Sequence, residues 1–362
     1  MRVGIDVSQA VYGTGVSDYT LNLVESLGHI SGLDLSLFAS GLRRGRTLRR
    51  LFPHSRLYPF PPTALHYLWN ILHLVNVEHF TGPIDVFHAS DWTQPPSSRP
   101  TVTTVHDLSP VLLPGEMRSG GYRDIVAVQT ARLHWAVKEC AKIICVSRST
   151  AADLQSVSHV PASRLAVIPE ALPSRFDLDP PPEQVATVKK KYHLTDYLIS
   201  VGTAHPRKNF LRLAQSFIKF RSLYRLPDRL VLAGASGWGP RLPRDPALVT
   251  PGYLPDPELA ALVKGAAAFV FPSLYEGFGL PLLLAWRQQV PTVTSNVSSL
   301  PEVAGKAAVL VNPLDEEAIA QGISQAIKSR ARLVAAGTAR LSEFSWPDIA
   351  DKTYSVYKSV CL

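Results

Sequence analysis

Hydrophobic and polar positions alternate along this chain in two patterns. Short runs of apolar, mostly β-branched residues are typical of buried strands. Between them lie stretches with the apolar spacing of amphipathic helices, such as 17–27 and 122–140. Strands that alternate with helices predict a parallel sheet covered by helices on both faces. In the first half, the predicted strands are 2–7, 33–38, 85–88, 101–106, 143–147 and 165–168.

The alternation stops at a proline-rich segment, 173–191, and then starts again. Three consecutive prolines at 180–182 disfavour helix and strand, so this segment is predicted to be a domain linker. Further strands are predicted at 197–202, 230–233, 268–271, 292–294 and 309–311. Two successive series of strands and helices predict two Rossmann-like domains, whose ligands bind beyond the carboxyl ends of the strands. The predicted boundaries are a first domain at 1–175, a linker at 176–195, a second domain at 196–345 and a C-terminal helix at 346–362.

Composition supports a folded protein of two domains. The chain has 362 residues, 46% of them hydrophobic and 18% charged, which is too apolar for disorder. No apolar run reaches the roughly 18 residues of a membrane span, and the first residues do not resemble a signal peptide, so we expect a cytoplasmic protein. Cys140, Cys145 and Cys361 have no disulfide or metal-site spacing and are expected to be reduced thiols.

Positive charge is unevenly distributed. Residues 181–362 contain 21 Lys and Arg against 14 Asp and Glu, which favours an anionic small molecule, nucleic acid or acidic lipid as partner. In the first half, no acidic residue lies between Asp34 and Glu78, and aromatic residues lie among the arginines of this interval. A solvated loop followed by a core-facing helix explains the pattern, and so does an anionic membrane surface. The arginines are Arg43, Arg44, Arg46, Arg49, Arg50 and Arg56.

Two glycines follow the first predicted strand, in the sequence VYGTGVS. Gly13 and Gly15, on either side of Thr14, allow the backbone to approach a ligand, and the next helix begins with N–H groups that suit an anion. Asp18 replaces the third glycine of the dinucleotide-binding pattern G-x-G-x-x-G, so a dinucleotide is not expected. A surface turn and a phosphate contact both remain open.

Two cations open a helix in the second half, in LISVGTAHPRKN. A predicted strand ends at Gly202, the loop passes Thr203, and Arg207 and Lys208 follow. The guanidinium fork and the ammonium charge both suit phosphate, although exposed Arg-Lys pairs are also common on surfaces.

A histidine ends another predicted strand, in TVTTVHDLSP. His106 lies at the carboxyl end of that strand, where a ligand is expected, although a structural role is the alternative. Its neighbour Asp107 is expected either to fix the histidine tautomer or to cap the following turn.

One carboxylate lies in a glycine-containing loop, in PSLYEGFGLPLLLAW. Glu276 follows the predicted strand 268–271, and a helix is predicted to begin near Gly279. The N–H groups of Phe278, Gly279 and Leu280 suit an anion, whereas Glu276 suits the hydroxyls of a neutral sugar. The loop therefore predicts a polyol held beside a phosphate.

The motifs GTAHPRKN and YEGFGLP, in this order and spacing, resemble those of the retaining glycosyltransferases of family 4, in their mannosyl- and rhamnosyl-transferase-like branch. The resemblance covers nearly the whole chain. It implies the α/β GT-B architecture, in which two Rossmann-like parallel-sheet domains face each other across a cleft and the C-terminal helix crosses back to the first domain.

The implied reaction transfers a hexose from a nucleotide-diphosphate sugar, with retention, to a glycan or polyprenyl-diphosphate-linked acceptor in cell-surface polysaccharide assembly. No metal, other cofactor or nucleic acid is expected. Peripheral binding to the inner face of the membrane through 43–56 is open. A non-catalytic sugar-nucleotide-binding or scaffold subunit and a sugar-nucleotide epimerase are the alternatives.

The resemblance also implies roles for individual residues. Glu276 would contact donor-sugar hydroxyls, Lys208 with Arg207 would bind the donor diphosphate, and His106 would lie near the sugar. The base would lie against Tyr253 and Leu254. The full implied donor-binding set is Gly13, Thr14, Gly15, Gly202, Thr203, Tyr253, Leu254, Phe278, Gly279, Leu280 and Leu284.

Position 284 departs from the family pattern. The family has a second glutamate there, which bonds the ribose hydroxyls, whereas this chain has Leu284. Loss of a charge-assisted hydrogen bond weakens binding by about 1.5–3 kcal/mol. A deoxynucleotide donor, a repositioned nucleotide and a loss of catalysis each explain the leucine.

Overall fold

A computed structural model of the protein describes residues 1–117 and 125–361. The chain divides into two compact units, of which the first combines Met1–Glu170 with Ser345–Leu362 and the second is Ala171–Phe344. The C-terminal helix therefore belongs to the first unit, as predicted. The start of the helix predicted at 122–140, and position 362, lie outside the described residues.

A parallel seven-stranded sheet forms the centre of the first unit. Its strands are β1 (Arg2–Asp6), β2 (Asp34–Ser40), β3 (Arg56–Tyr58), β4 (Val86–Ala89), β5 (Thr101–Val105), β6 (Lys142–Cys145) and β7 (Leu165–Val167). They lie in the order β3-β2-β1-β4-β5-β6-β7, so the direction of chain progression reverses between β1 and β4. All residues of β4 and β5 are buried, as expected for central strands with helices on both faces.

Helices pack on this sheet by apolar faces. In helix Gly15–Leu27, the buried residues Tyr19, Leu23 and Leu27 recur every four positions, and this helix packs against the C-terminal helix Trp346–Val360. The other helices of the unit are Gly45–Leu51, Pro62–Leu65, Glu78–Thr81, Ser109–Leu112, Pro114–Met117, Ile125–Glu139 and Arg148–Ser158, with 3-10 helices Ser8–Val11 and Ala162–Arg164 and a π-helix His66–Ile71.

A buried polar contact joins the C-terminal helix to the sheet. His88, on β4, lies 2.6 Å from the Tyr357 hydroxyl through Nδ1 and 3.0 Å from Thr104 Oγ1 through Nε2. Burial, together with the positive charges of His106 and Arg132, lowers the pKa of His88 to about 3. His88 is thus a neutral residue whose two ring nitrogens are both engaged within the fold.

A parallel six-stranded sheet forms the centre of the second unit. Its strands are β8 (Tyr197–Val201), β9 (Arg229–Ala233), β10 (Leu248–Gly252), β11 (Ala268–Phe271), β12 (Thr292–Ser295) and β13 (Ala308–Val311). The order β10-β9-β8-β11-β12-β13 reverses between β8 and β11. The helices are Pro182–Lys191, Phe210–Tyr224, Asp256–Lys264, Leu280–Arg287, Leu300–Ala304, Glu316–Lys328 and Arg330–Leu341, with 3-10 helices Ser174–Phe176 and Pro206–Lys208.

The segment 176–195, predicted to be a linker, is part of the second unit. Its prolines start the helix Pro182–Lys191, because proline fits the first helical turn, where its missing N–H costs nothing. Two carboxylates of the segment also form ion pairs with this unit, Asp177 with Arg287 at 2.6 Å and Asp179 with Lys264 at 2.5 Å. Prolines that were expected to separate two domains instead begin an ordered helix.

The arginine-rich interval between Asp34 and Glu78 contains helix Gly45–Leu51, edge strand β3 and the π-helix His66–Ile71. Its arginines are exposed, while Leu48 and Trp69 are fully buried. None of the helices in the described ranges has the length and apolar character that crossing a lipid bilayer requires.

Candidate active site

Two loops of the second unit lie side by side because their strands are paired. Strands β8 and β11 are neighbours at the point where the strand order reverses. The loop after β8 contains Arg207 and Lys208, and the loop after β11 contains Glu276. Ligands of a Rossmann-like sheet usually bind at the carboxyl ends of the strands at such a point.

Glu276 forms ion pairs with both cations. Its Oε1 lies 2.5 Å from Lys208 Nζ, and its Oε2 lies 2.6 Å from an Arg207 guanidinium nitrogen. Glu276 is 6% exposed and Lys208 is 8% exposed. Three residues that the sequence analysis selected from separate motifs therefore form one buried charged cluster.

The cluster lowers the pKa of its carboxylate. Burial alone raises the pKa of Glu276, but the charges of Arg207 and Lys208 outweigh burial and lower it to about 2. Lys208 Nζ also lies 4.9 Å from the centre of the Phe271 ring. Glu276 is therefore ionised at any physiological pH and serves as a hydrogen-bond acceptor for cations or hydroxyls.

Asn209, which the sequence analysis did not select, joins the two loops. It has a left-handed backbone with φ 60°, and its Nδ2 donates to the carbonyls of Pro272 at 3.0 Å and Pro313 at 2.7 Å. The backbone N–H of Leu274 donates to the Arg207 carbonyl at 2.7 Å. The last residue of PRKN thus holds the cation loop against the carboxylate loop, and only its position beside Lys208 gave a signal in the sequence.

Two serines fix the backbone of the carboxylate loop. The N–H of Glu276 donates to Ser298 Oγ at 2.9 Å, and Ser298 Oγ donates to the Glu276 carbonyl at 2.6 Å. Ser299 Oγ lies within 3.0 Å of the Glu276 and Phe278 carbonyls and donates to them. These serines follow β12, far along the chain, and the sequence analysis missed them.

A third loop lies directly on the cation loop because it contains glycines. A β-carbon at Gly234 would lie 2.0 Å from the Gly202 carbonyl oxygen, and one at Gly237 would lie 2.2 Å from that of Ala204. A β-carbon at Gly202 would in turn lie 3.3 Å from Lys208 Cε. The sequence analysis missed this loop, although GASGWG directly after β9 was a visible signal.

The helix Leu280–Arg287 begins beside Glu276. Gly279 is its N-cap, with φ 107°, a conformation that favours glycine, and Phe278 before it is buried. Leu284 lies in the interior of this helix and is 3% exposed. The position of the family's second glutamate is therefore an apolar, buried position in this protein.

The residues expected near the base follow a different strand. Tyr253, 72% exposed, and Leu254, 6% exposed, come directly after β10, which β9 separates from β8. Thr203 is exposed directly after the Gly202 that ends the β8 region. Their proposed contact with a nucleotide stays a prediction.

The glycine loop of the first unit is arranged as a helix cap. Thr14 Oγ1 accepts from the N–H of Ser17 at 3.3 Å, and the N–H of Thr14 donates to Ser17 Oγ at 3.2 Å. Gly13 has φ 68°, and a β-carbon there would meet no atom within 4 Å. Glycine at this position serves backbone conformation, while Gly15 begins the helix Gly15–Leu27.

His106 is paired with an acid that the sequence analysis did not select. Its Nδ1 lies 2.7 Å from Glu170 Oε1, and its ring meets Tyr19 edge to face at 4.6 Å. Burial lowers the pKa of His106, but the hydrogen bond and charge of Glu170 outweigh burial and raise it. Asp107 accepts from the N–H of Ser109 at 2.9 Å, so it caps the turn and does not fix the histidine.

His106 borders a polar pocket within the first unit. This pocket lies at the carboxyl ends of β1, β4 and β5, the same sheet edge that the sequence analysis proposed. The polar side chains that line it include Asp6, Gln9, Tyr19, His88, Asp91 and His106.

Two family profiles match this chain. The family described as "Glycosyltransferase Family 4" matches residues 13–173, and "Glycosyl transferases group 1" matches residues 195–329. The O-antigen chain mannosyltransferase B of Escherichia coli is 32% identical over 286 residues, which covers 75% of this chain and 74% of that protein.

Solved structures of similar fold cover the whole chain. Sucrose-phosphate synthase from Thermosynechococcus elongatus has a TM-score of 0.73 at 17% identity and covers 99% of this chain and 98% of that chain. Anabaena HepE, in complex with UDP and glucose, has a TM-score of 0.71 at 14% identity and covers 99% of this chain and 100% of that chain. These identities show the fold alone, which is the GT-B fold. With the profile matches and the E. coli relative, they establish that this chain belongs to glycosyltransferase family 4.

Proposed function

We propose that this protein transfers a hexose from a nucleotide-diphosphate sugar to a glycan or polyprenyl-diphosphate-linked acceptor, in the assembly of a cell-surface polysaccharide. The configuration at the transferred carbon is retained, and no metal ion takes part. The observation that carries the proposal is the contact of Lys208 and Arg207 with Glu276. Two cations that suit a diphosphate and one acceptor that suits hydroxyls lie at one sheet edge.

The cations would act on the leaving group. As the glycosidic bond breaks, negative charge grows on the terminal phosphate of the nucleotide, and Lys208 and Arg207 would stabilise that charge. A fixed charge in a buried site stabilises the transition state more than one in water, because no solvent has to reorganise. The leaving phosphate would accept the proton of the attacking hydroxyl on the same face of the sugar, which gives retention.

Glu276 would exchange partners when the donor binds. In the structure both cations bond its carboxylate. A diphosphate offers them stronger anionic partners, and the sugar attached to it offers hydroxyl donors to the carboxylate. Glu276 would therefore position the hexose while the cations hold the diphosphate.

The name of the E. coli relative supports mannose as the transferred sugar, because that protein is an O-antigen chain mannosyltransferase of 32% identity. Nothing in the contacts of Glu276 distinguishes mannose from another hexose. Mannose is therefore proposed on the relative alone.

The test is a panel of radiolabelled nucleotide sugars, including mannose and glucose donors, incubated with mannose-containing acceptors. We expect a labelled glycan from one donor, with the anomeric configuration of the donor preserved by NMR. Donor binding without any transfer would favour a non-catalytic subunit. A changed nucleotide sugar without acceptor consumption would favour an epimerase.

We also propose that the protein associates with an anionic membrane surface. The arginines of 43–56 are exposed, and the π-helix region that follows exposes several large apolar side chains. Exposed basic and apolar side chains together favour an anionic bilayer interface. The apolar residues are Tyr67, Ile71, Leu72, Leu74 and Val75, each at least 43% exposed.

A further inference from the structure

Two exposed aromatic side chains lie together where the strand order of the first sheet reverses. Tyr12 follows β1 and Trp92 follows β4, and these two strands are paired. Tyr12 is 41% exposed and Trp92 is 38% exposed, and their ring centres are 6.4 Å apart at an angle of 57°. Ligands of Rossmann-like sheets usually bind where the strand order reverses, and both aromatic side chains are partly exposed there.

A fixed carboxylate adjoins this pair. Asp91, the residue before Trp92, accepts from Gln129 Nε2 at its carbonyl, 2.9 Å, and at Oδ2, 3.3 Å. Its Oδ1 lies 3.6 Å from a guanidinium nitrogen of the buried Arg132. The Asp91 side chain is still 18% exposed, so a carboxylate held by these contacts is accessible on the residue that directly precedes Trp92.

The same carboxylate shares a pocket with His106, the residue that the resemblance implies lies near the donor sugar. Asp91 and His106 both line the polar pocket of the first unit. A sugar lying on Trp92 with one hydroxyl at Asp91 would therefore present that hydroxyl toward the pocket that His106 borders. A positive charge lies against Tyr12, since the Arg44 guanidinium is over its ring, 5.9 Å from the ring centre.

The chemistry of this surface fits a pyranose. A sugar ring has C–H faces that pack on aromatic rings and an edge of hydroxyls that donate to carboxylates, and amphipathic aromatics supply such contacts at binding sites. A fixed carboxylate favours a ligand with hydroxyl donors over a purely apolar one. A nucleobase is disfavoured, because the base-binding residues implied by the resemblance follow β10 in the second unit.

We infer that Tyr12, Trp92 and Asp91 form the binding site of the acceptor saccharide, with Asp91 accepting a hydrogen bond from an acceptor hydroxyl and so determining which hydroxyl is glycosylated. This inference rests on the proposed transferase function and adds the residues that would contact the acceptor. Arg44 would face a phosphate or another anionic group attached to the acceptor, since its guanidinium lies over the Tyr12 ring.

Binding is tested first, without any requirement for catalysis. Saturation-transfer NMR with methyl α-D-mannopyranoside and α-linked mannobioses should detect contact with the wild-type protein and its loss in Trp92→Ala. The control is Tyr67→Ala, which removes an aromatic side chain that is 59% exposed elsewhere in the first unit. Equal saccharide signals in wild type and Trp92→Ala, or no signal in wild type, would overturn the inference.

Kinetics then separates this inference from the transferase proposal. Trp92→Ala and Tyr12→Ala should raise the acceptor KM about 5- to 50-fold, the range of a buried aromatic contact at an interface. The donor dissociation constant should stay within about twofold of wild type, because Lys208, Arg207 and Glu276, which are proposed to hold the donor, lie in the second unit. Asp91→Asn should give a mixture of linkages where the wild type gives one.

The outcomes point to different errors. A wild type that transfers sugar while Trp92→Ala keeps the wild-type acceptor KM and linkage would overturn the acceptor site alone. A wild type that binds saccharide through Trp92 but transfers from no donor would support the site and contradict the transferase proposal. Thermal melting of each variant establishes that a loss of binding is not a loss of fold.

Discussion

Lys208 is the more buried of the two cations that contact Glu276, with a side chain 10% exposed against 18% for Arg207. We expect Lys208→Ala to lower turnover about 100-fold or more, because a fixed charge is removed from the leaving phosphate. The control is Lys219→Ala, which removes a lysine side chain that is 62% exposed on the following helix. Steady-state kinetics with the preferred donor, beside melting temperatures, measures the effect. Near-normal turnover in Lys208→Ala would contradict the diphosphate assignment.

His106 gives the protein a pH-dependent element of stability. Its pKa is raised above the ordinary 6.5 by Glu170, so the pair stabilises the fold fully below pH 6.5 and is lost as pH rises through the raised pKa. We expect Glu170→Gln to destabilise the protein most at about pH 6 and progressively less toward about pH 9. Urea unfolding of wild type and variant across this range measures the difference.

A control for this pair is Glu183→Gln, which changes an exposed acid. Its effect on the free energy of unfolding should be small at every pH. A Glu170→Gln effect that does not shrink with rising pH would show that the His106 charge is not what the pair stabilises.

Leu284 is the position at which this chain departs from the family pattern, and the departure predicts a change in nucleotide binding. With a leucine there, no carboxylate meets the ribose, so the loss of one ribose hydroxyl should cost little. We expect the wild type to bind 2′-deoxynucleoside diphosphates within about threefold of the ribose forms of the same base. Leu284→Glu should favour the ribose form by about 10-fold, the value of one charge-assisted hydrogen bond.

This preference is measured by titration calorimetry. The ribose and 2′-deoxyribose forms of uridine diphosphate are compared with each other, and so are those of guanosine diphosphate. Because Leu284 is 3% exposed, the glutamate should also lower the melting temperature without nucleotide and be partly rescued by it. If the wild type strongly prefers the ribose form and Leu284→Glu leaves that preference unchanged, the leucine does not determine how the ribose is bound.

The central site residues could be predicted from the sequence, but the residues that hold them in place could not. Glu276, Lys208 and Arg207 were found because their motifs are local, and strand order brought them together. Glu170, Ser298 and Asn209 act through contacts with segments that are distant in the sequence. His106 and Glu170, for example, are separated by 64 positions. A single sequence carries no signal for such pairs, because an acid or a serine at a strand end is compatible with many partners.

At the scale of elements, the helix Leu280–Arg287 connects the donor site to the packing behind it. It packs against helix Arg330–Leu341, where a β-carbon at Gly337 would lie 2.6 Å from Trp286 Cδ1. We expect Gly337→Ala to destabilise the protein by about 1–3 kcal/mol, although alanine favours helix, because the buried indole has to move. Donor affinity should fall as well, since Trp286 belongs to the helix that begins at the site.

The matched control is Thr338→Ala on the same helix, at an exposed position. It changes helix propensity without adding a buried contact and should alter the free energy of unfolding by no more than about 0.5 kcal/mol. Chemical denaturation and donor titration of both variants measure these effects. A Gly337→Ala protein as stable as wild type would show that the indole relaxes without cost.

Two strands were not predicted from the sequence, and both lie at sheet edges. β3 has three residues and no buried one, and β10 contains Pro251 and Gly252. Edge strands lack the continuous apolar run that identified the central strands, and proline is tolerated there. The linker prediction failed for a related reason, since proline both breaks regular structure and starts helices.

At the scale of the whole molecule, the proposed membrane association rests on surface charge. We expect wild-type protein to bind anionic vesicles at low salt, more weakly as salt rises, with about 1 kcal/mol for each engaged cation. Charge reversal at Arg46, Arg49 and Arg50 should abolish vesicle sedimentation and leave donor affinity unchanged. Reversal of three other exposed cations, Lys190, Arg241 and Arg332, keeps the net charge equal and should leave binding intact.

The apolar side chains make a separate contribution. Replacement of Ile71 and Leu72 by serine should weaken vesicle binding at all salt concentrations, because it removes apolar contact and not charge. Wild-type protein that stays in the supernatant with anionic vesicles at low salt would contradict membrane association altogether.

The ion pairs of Glu276 have a consequence for which anions compete with the donor. In cells, inorganic phosphate and pyrophosphate compete for any exposed pair of cations. Here such an anion would have to displace a buried carboxylate from Lys208 and Arg207, and it carries no sugar hydroxyl to bond that carboxylate in return. Burying an unpartnered charge is costly, so these small anions should bind poorly. A nucleotide sugar would bring a replacement partner for Glu276 on its own hexose, so we expect the carboxylate to favour intact donors over inorganic phosphate and pyrophosphate.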